Sequence, residues 1–243
     1  MNNGLYNAEK FISIYNEIDH ILRVMLHEEN WVGYHELVVR ASRFNRIVRE
    51  YEEDLKQIGD LRNAIVHRST NQIIAEPAEF IVNLAEKIRQ MLVEPPKVFP
   101  KFQKDVLTVD ANESIEKVAH LMADNNFSRI PVYEGNTFSF LATAEDIVRF
   151  IAANNGKLLG NIPISEVARF AEHKDNVQFV SQDTDIFKVA EMFEIYHRNG
   201  KKIEAVLISE NGSKNNKPIG IITLFDIGEI YREMEIRANN GLA

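Results

Sequence analysis

The sequence predicts an α+β protein, in which an N-terminal all-α helical bundle is followed by two copies of a β-α-β-β-α unit. Three observations lead to this prediction. Apolar residues in the first 94 positions recur at steps of three and four, which is the period of a helix. Pro95, Pro96 and Pro100 then lie within six residues and favour an extended linker. After the linker, short β-rich runs alternate with helices, and the pattern occurs twice.

The bulk composition narrows the function classes. The chain has 243 residues, 45% of them apolar, which is enough for two domains with a core each. It has no cysteine, which excludes disulfides, thiolate nucleophiles and zinc–thiolate sites together. The polar start MNNGLYNAEK and the lack of a membrane-length apolar run predict a cytoplasmic protein without a membrane partner. The formal charge of −8 argues against non-specific nucleic-acid binding, and the histidine spacing predicts no metal site.

The N-terminal region is predicted to form an antiparallel bundle of about four helices. The stretches with a helical period are residues 11–26, 37–55, 60–68 and 80–92. Trp31, the only tryptophan, lies between the first two predicted helices, and we expect it to anchor their packing. The bundle is assigned residues 1–94 and the linker residues 95–100.

The second half contains an internal duplication. SIEKVAHLM (114–122) matches DIFKVAEMF (185–193), with Ile, Lys, Val and Ala in register. Each copy continues with two predicted strands and a last helix, which opens with TAEDI (143–147) or TLFDI (223–227). The first copy is assigned residues 101–155 and the second, with a C-terminal helix, residues 156–243.

These matching segments resemble a tandem pair of CBS domains, an arrangement also called a Bateman module. The resemblance rests on VLTVDANESIEKVAHLMADNNFSRIPV and FLATAEDI in the first copy, and on VQFVSQDTDIFKVAEMF and GIITLFDI in the second. It implies that an adenine nucleotide (AMP, ADP or ATP) binds in the cleft between the copies as a regulatory ligand. It also implies a sensor rather than a catalyst.

A Thr-x-x-Asp motif opens the last predicted helix of each copy, as Thr143 with Asp146 and as Thr223 with Asp226. The resemblance implies that the aspartate binds the ribose hydroxyls and that the threonine lies near the phosphate. A helix N-terminus offers free backbone N–H groups and a positive dipole end, which suit an anion. The same spacing is also close to that of a capping box, which needs no ligand.

The two copies differ three residues before the threonine. The second copy has Gly220 there, where the missing side chain lets the backbone approach a ligand closely. The first copy has Phe140, which either stacks on a base or plugs the site. We therefore expect the cleft of Thr223 and Asp226 to bind ligand in preference to the other.

The resemblance implies further ligand contacts. Arg129, in SRIPV, is a candidate phosphate contact, with a solvated surface arginine as the alternative. The first strand of each copy, LTV at 107–109 and QFV at 178–180, is expected to give backbone and apolar contacts to the base. These contacts are assigned to Thr108, Phe179 and Val180.

The stretch LRNAIVH contains Arg62, Asn63 and His67 on a predicted short third helix. At about 100° per residue, Asn63 and His67 would lie one above the other, whereas Arg62 would have to reach round. The motif and its bundle resemble HEPN domains, many of which are dimeric, metal-independent endoribonucleases. RNA cleavage by the 2′-hydroxyl needs a base and a cation, roles that fit His67 and Arg62, with Asn63 orienting either group.

Arg62, Asn63 and His67 also fit a structural role, as a polar network between packed helices. Three functions of the whole chain fit these observations. The first is a regulatory protein whose adenine-nucleotide ligand controls a homodimeric helical domain. The second is a ribonuclease regulated by the CBS pair, with RNA as its partner. The third is a non-catalytic dimerisation or partner-binding protein with structural CBS domains. Nucleotide binding ranks above catalysis, and whether the chain is an enzyme stays open.

Overall fold

The computed structural model describes residues 3–66, 72–155, 161–171 and 176–234. The described N-terminal region is helical, as the apolar period predicts. Its helices are α1 (Asn3–Leu26), α2 (Tyr34–Ala41), α3 (Arg46–Glu50), α4 (Glu52–Ile65) and α5 (Glu79–Val93). None of the described helices combines the length and the apolar character that crossing a bilayer requires.

The remaining elements form the β-α-β-β-α order twice, which confirms the predicted duplication. A short turn, α6 (Val98–Lys101), comes first. The first copy comprises β1 (Val109–Asp110), α7 (Ile115–Asp124), β2 (Arg129–Glu134), β3 (Thr137–Thr143) and α8 (Ala144–Ala153). A 3₁₀ helix (Ile164–Phe170) follows. The second copy comprises β4 (Val177–Ser181), α9 (Ile186–Arg198), β5 (Ala205–Ser209), β6 (Gly220–Ile222), a 3₁₀ turn (Leu224–Asp226) and α10 (Ile227–Met234).

The chain divides into two compact units. The first comprises Met1–Pro96, Asp185–Glu191 and Glu229–Ala243, and the second comprises Lys97–Thr184 and Met192–Gly228. The division after Pro96 falls inside the predicted linker, residues 95–100. The helical bundle belongs to the first unit, and the strands β1 to β6 belong to the second.

The bundle is built around α1, which packs against α2, α4 and α5. Its inner face follows the predicted apolar period, because residues three and four apart share one side of a helix. The fully or almost fully buried residues of α1 and α5 are Ala8, Phe11, Ile14, Ile18, Leu22, Val82, Ala85 and Ile88. Their burial gives the first unit its own hydrophobic core.

The predicted continuous helix over residues 37–55 is wrong, because the chain leaves the helix after Ala41 and again at Tyr51. Asn45 caps the new helix α3, since its Oδ1 accepts the backbone N–H of Val48 at 3.1 Å. The guanidinium of Arg49 donates to the carbonyl of Ser42 at 2.9 Å and so satisfies the end of α2. The apolar period therefore continues through a break that local polar groups impose.

The expected role of Trp31 is also wrong. The residue lies in the connection between α1 and α2, but it is 91% exposed and therefore anchors no packing. The interior between these helices is occupied instead by Tyr15 and Tyr34, whose ring centroids lie 4.7 Å apart. Gly59 on α4 makes room for this pair, because a Cβ there would lie 2.6 Å from the Tyr34 ring.

Each copy in the second unit contributes a three-stranded sheet. In the first, β1 runs parallel to β2 and β2 runs antiparallel to β3, and β4, β5 and β6 repeat this order. The parallel pairs place Val109 opposite Val132 and Val180 opposite Ile208. The strand-helix-strand connections thus bring the end of β3 and the end of β6 to equivalent positions, each directly before a helix start.

Apolar contacts join the two copies. Leu141 of β3 shares a buried cluster with Val177, Ala205 and Leu207 of the second sheet. Phe138 and Phe179 meet edge to face in the same cluster, with ring centroids 5.0 Å apart. The core of the first copy lies between its sheet and its helices α7 and α8. The duplication therefore folds as one paired module.

The predicted linker is not a free extended spacer, because its second half packs into the second unit. The side chain of Val98 is fully buried, and its backbone N–H donates to the carbonyl of Thr184 at 2.8 Å. Gln103 then forms an antiparallel bridge with Gly220, and the Lys104 N–H donates to the Ile219 carbonyl at 3.1 Å. The segment that enters the first copy thus lines the outer edge of the second copy's sheet.

Candidate functional site

The first Thr-x-x-Asp motif closes a capping box at the start of α8. Thr143 Oγ1 accepts the Asp146 backbone N–H at 3.1 Å and donates to Asp146 Oδ2 at 2.7 Å. The same Oδ2 accepts the Thr143 backbone N–H at 3.2 Å. Asp146 is 4% exposed, and its Oδ1 has no hydrogen-bond donor among residues 3–66, 72–155, 161–171 and 176–234. The capping interpretation therefore holds, and one carboxylate oxygen stays unused.

The second motif forms the same box with one added partner. Asp226 Oδ2 accepts the Thr223 backbone N–H at 2.7 Å and the Thr223 hydroxyl at 2.9 Å. Its Oδ1 accepts from Lys104 Nζ at 3.0 Å. The side chains of Lys104 and Asp226 are 48% and 19% exposed. An acceptor and a solvent-accessible cation thus meet at this helix start.

The charge of Asp226 is stabilised by its neighbours. Burial alone would raise the pKa of this carboxyl group. The Thr223 backbone N–H, the Lys104 ammonium and the Thr223 hydroxyl outweigh burial and hold the pKa below its ordinary value. The group is therefore a carboxylate at neutral pH, ready to accept hydrogen bonds.

The proposed reason for Gly220 needs correction. A Cβ on Gly220 would lie 2.3 Å from the carbonyl oxygen of Phe102 and 2.9 Å from Ile208 Cδ1. The space left by the missing side chain is therefore filled by the chain's own backbone, which bridges to Gly220 through Gln103. Gly220 serves the close approach of two backbone segments, and the argument that it makes room for a ligand does not hold.

Arg129 is neither a solvated surface residue nor a free phosphate contact. Its Nε donates to Glu204 Oε2 at 2.7 Å, and its Nη1 donates to Ser128 Oγ at 2.9 Å. Lys202 binds the other oxygen of Glu204. Arg129 is the Cα partner of Thr143 across β2 and β3, so it lies beside the first cap. The cation nearest in register to the first motif is thus held by an acid of the other copy.

Glu204 is well suited to hold Arg129, because its side chain is 11% exposed. Burial would raise the pKa of this carboxyl group, but hydrogen bonds from Lys202 and Arg129 lower it further than burial raises it. Glu204 therefore stays ionised, with a cation on each of its oxygens.

Phe140 and its neighbours form a cavity at the edge of β3. Phe140 packs partly against the core of the first copy, which agrees with a plug better than with a free stacking platform. The cavity has a volume of about 230 Å³ and lies next to the 3₁₀ helix Ile164–Phe170. Its lining residues are Phe138, Ser139, Phe140, Leu141, Ala168, Ala171 and Asn176.

The residues assigned to base contacts are mostly occupied by packing. Phe179 stacks edge-on against Phe138 in the cluster between the two sheets, and Val180 is 5% exposed. Thr108 directly precedes β1 and is partly buried. Of these three, Phe179 and Thr108 keep some exposed surface for a ligand.

Arg62 and Asn63 lie in the last turn of α4, so the predicted separate short helix over residues 60–68 is wrong. The helix ends at Ile65, and Val66 is extended and bridges to Ile73. The predicted helical stacking of Asn63 on His67 needed the helix to continue beyond this point. His67 itself lies outside the described residues.

Arg62 and Asn63 occupy different environments. The Arg62 guanidinium lies 5.6 Å from the centroid of the Tyr15 ring, a cation–π contact inside the bundle. Its Nη1 donates to Asn63 Oδ1 at 3.4 Å, whereas its Nε is buried without a hydrogen-bond acceptor. Asn63 is exposed. Within the part of the chain that the structure describes, Arg62 has no carboxylate partner.

Sequence reasoning missed Lys104 and Glu204. Lys104 follows the proline-rich segment and contacts a residue 122 positions later, so no local pattern marks it. Glu204 directly precedes β5, just as Ser128 directly precedes β2. Because Ser128 binds Arg129, the equivalent position in the second copy was the signal that could have indicated Glu204. Both residues decide which charges the two caps encounter.

Two β-α-β-β-α units follow each other in the chain, and a Thr-x-x-Asp motif precedes the last helix of each. The CBS domain family model matches residues 102–153 and 164–233, which together make up half of the chain. The chain belongs to the CBS domain family.

Solved structures of low sequence identity are similar to part of this chain. The CBS domain pair of the protein MJ0100, in complex with 5′-methylthioadenosine and S-adenosyl-L-methionine, is 22% identical, with a TM-score of 0.42, over 57% of this chain and 97% of that one. The protein MJ1225 of Methanocaldococcus jannaschii, a proposed archaeal homologue of g-AMPK, is 21% identical with a TM-score of 0.43. That similarity covers 67% of this chain and 56% of the other.

A curated relative matches a shorter segment. Homoserine O-acetyltransferase of Methanobrevibacter ruminantium is 30% identical over 87 residues. The match covers 35% of this chain and spans only 17% of that enzyme's length.

Proposed function

We propose that the CBS pair binds an adenine nucleotide and that the bound ligand controls the N-terminal helical domain. The observation that carries this proposal is the 3.0 Å contact between Lys104 and Asp226 at a capped helix start. A nucleotide offers the complementary groups, since its ribose hydroxyls donate hydrogen bonds and its phosphate is an anion.

Binding at this cleft is an exchange of partners. The ribose hydroxyls take Asp226 Oδ1, while Thr223 keeps its two hydrogen bonds to Oδ2. The released Lys104 then pairs with the phosphate. Because Lys104 is about half exposed, its ammonium moves between partners without leaving water, and little desolvation opposes the exchange.

The first cleft is proposed as the weaker site. Its cation, Arg129, is already bound by Glu204, and a phosphate would have to compete with a buried carboxylate for it. Asp146 keeps one unused oxygen, but the residue is almost fully buried. The preference for the cleft of Thr223 and Asp226 is therefore retained, on the charges rather than on Gly220.

A thermal shift assay tests nucleotide binding. The full chain is heated with AMP, ADP, ATP, 5′-methylthioadenosine or S-adenosylmethionine, and the unfolding midpoint is followed. A ligand at roughly 100 times its dissociation constant adds about 2.7 kcal/mol to the free energy of unfolding. If none of the five raises the midpoint, the CBS domains are structural and the proposal fails.

The proposed regulatory unit is a homodimer. An apolar groove of about 390 Å³ runs along α7 and α8, with the protruding Phe127 and Val148 beside the small Ala119, Ala123 and Ala144. In a twofold interface the same face of both subunits is in contact, so the protruding side chains of one subunit can pack over the small residues of the other. Sedimentation velocity should give a dimer for the wild type and a monomer for Val148→Glu. The exposed Val24 on α1 provides the control, Val24→Glu, which should stay dimeric.

A metal-independent endoribonuclease is the second candidate function. It is favoured by Arg62, a partly exposed guanidinium that has no carboxylate partner among the described residues and lies beside the exposed Asn63. Such a cation can stabilise the negative charge that develops on the phosphate in the transition state of RNA cleavage. The test is cleavage of a mixed RNA substrate in EDTA, with and without AMP or ATP. Loss of cleavage in both Arg62→Ala and His67→Ala would support it, and no cleavage by the wild type would rule it out.

A further inference from the structure

The exposed tryptophan is held by an ordered connection. Trp31 lies in residues 27–33 between α1 and α2, with 91% of its surface in solvent. Exposing a large aromatic side chain to this extent forgoes its burial energy, which is unusual for a residue with no partner.

One guanidinium fixes the backbone on both sides of Trp31. Arg23 donates from Nη1 to the carbonyl of Asn30 at 3.3 Å and from Nη2 to the carbonyl of Val32 at 2.9 Å. Arg23 Nε donates to Asp19 Oδ2 at 2.8 Å, and this bond orients the guanidinium. The carbonyl groups of the two residues on either side of Trp31 are therefore bound by the same side chain of α1.

A second network holds the start of the connection. Glu28 Oε1 accepts the Asn30 backbone N–H at 3.1 Å, and Glu28 Oε2 accepts from Arg40 Nη1 at 2.9 Å. Arg40 also binds Glu36 one turn away on α2. Both networks anchor the connection to its flanking helices, so the indole is presented without a large loss of backbone freedom on binding.

The surroundings of Trp31 are acidic. Residues 27–36 contain three glutamates and no lysine or arginine. The nearby cations, Arg23 and Arg40, are engaged by Asp19, Glu28 and Glu36. Glu29 is exposed and has no ion-pair partner within the described residues.

We propose that Trp31 anchors a docking site for a cationic polypeptide segment of a partner. A lysine or arginine of the partner stacks on the indole face, and Glu29 supplies the matching carboxylate. Tryptophan is the aromatic residue that binds cations best, and it is enriched at the centres of protein interfaces. RNA and anionic membranes fit this surface poorly, because the local acid surplus repels phosphate.

The test uses the full chain and a fluorescein-labelled octapeptide of alternating arginine and glycine, read by anisotropy at low salt. Trp31→Ala should weaken binding by roughly tenfold or more, and Glu29→Gln should weaken it less. Phe44→Ala is the matched control, because Phe44 is also an exposed aromatic residue but lies beyond the far end of α2. It should bind the peptide like the wild type.

Trp31 also provides an intrinsic signal, since it is the only tryptophan. Its fluorescence emission should be that of a solvent-exposed indole. Caesium ions should quench this emission more strongly than iodide, because the acidic surroundings attract cations and repel anions. Equal peptide affinity of wild type and Trp31→Ala would overturn the proposal. So would Trp31-dependent binding of single-stranded RNA or phosphatidylserine vesicles, or Trp31-dependent self-association in sedimentation.

Discussion

The two Thr-x-x-Asp motifs share a sequence pattern and a hydrogen-bond pattern but differ in charge. In both, the aspartate Oδ2 accepts the backbone N–H and the hydroxyl of the threonine three residues earlier. In the first copy the aspartate is buried and no cation reaches it within the described chain. In the second, Lys104 binds the free oxygen at 3.0 Å.

This difference separates the capping role from the binding role. A capping box stabilises a helix start in both copies, so the motif alone does not identify a ligand site. The cation decides: Lys104 is accessible beside Asp226, whereas Arg129, beside the first cap, is taken by Glu204. The first cap thus stabilises a helix start, and the second is the ligand site that we propose.

The largest expected effect comes from Gly220, which occupies the position of Phe140 in the first copy. Gly220→Ala places a Cβ within 2.3 Å of the Phe102 carbonyl and must displace the segment that carries Lys104. We expect a loss of about 3 kcal/mol in the free energy of unfolding. Chemical denaturation measures it.

Gly228→Ala on α10 is the control for this substitution. Nothing lies within 4 Å of its added Cβ, so alanine should be neutral or stabilise the helix by up to about 1 kcal/mol. If Gly220→Ala were as mild as Gly228→Ala, the close approach of the entering segment to β6 would be wrong.

The next effect distinguishes the two caps by stability. Asp146→Ala removes the acceptor of two hydrogen bonds in a buried site, which should cost about 1 to 2 kcal/mol. Asp226→Ala should cost less, since its carboxylate is more exposed and water can replace it. If urea denaturation gave equal losses for the two variants, the predicted difference in burial between the two caps would be wrong.

A smaller effect isolates the lysine. Lys104→Gln should lower the preference for AMP over adenosine about fivefold, the size of an exposed ion pair, because the Lys104 ammonium released from Asp226 finds a new partner only in AMP. Comparing the two ligands by calorimetry tells a phosphate contact from a general loss of the site. An equal loss for AMP and adenosine would mean that Lys104 only supports the fold.

The smallest expected effect is a pH dependence. The folded pKa of Asp226 lies below its ordinary value of 3.8, so its contribution to stability is present above that value and is lost as the pH falls through the folded pKa. Asp226→Asn should flatten the stability curve in this acid range and lower it by a constant amount near neutrality, where the carboxylate is fully ionised. A variant as acid-sensitive as the wild type would contradict the stabilised carboxylate.

The repeat made the CBS pair predictable from the sequence, because two copies of one pattern constrain each other. The strand order, the helix starts and both capping boxes follow from it. Within the bundle, the apolar period of residues 37–55 gave the correct inner face but hid the breaks. Those depend on Asn45 and Arg49, whose polar contacts an apolar period does not report.

Other features depend on contacts between distant residues or on exposure. Lys104 contacts Asp226, which is 122 positions later in the sequence. Gly220 contacts Phe102 across a comparable sequence separation. Neither contact leaves a local trace in the sequence. Residue type likewise suggested that Trp31 is buried, whereas the hydrogen bonds of Arg23 keep its connection on the surface.

The most direct test of the account is calorimetric titration of AMP into the wild type, Asp226→Ala and Asp146→Ala, at a temperature at which all three are folded. The account predicts saturable binding to the wild type, a loss of roughly tenfold or more in Asp226→Ala, and near wild-type affinity in Asp146→Ala. The opposite order, with Asp146→Ala impaired and Asp226→Ala unaffected, would contradict it.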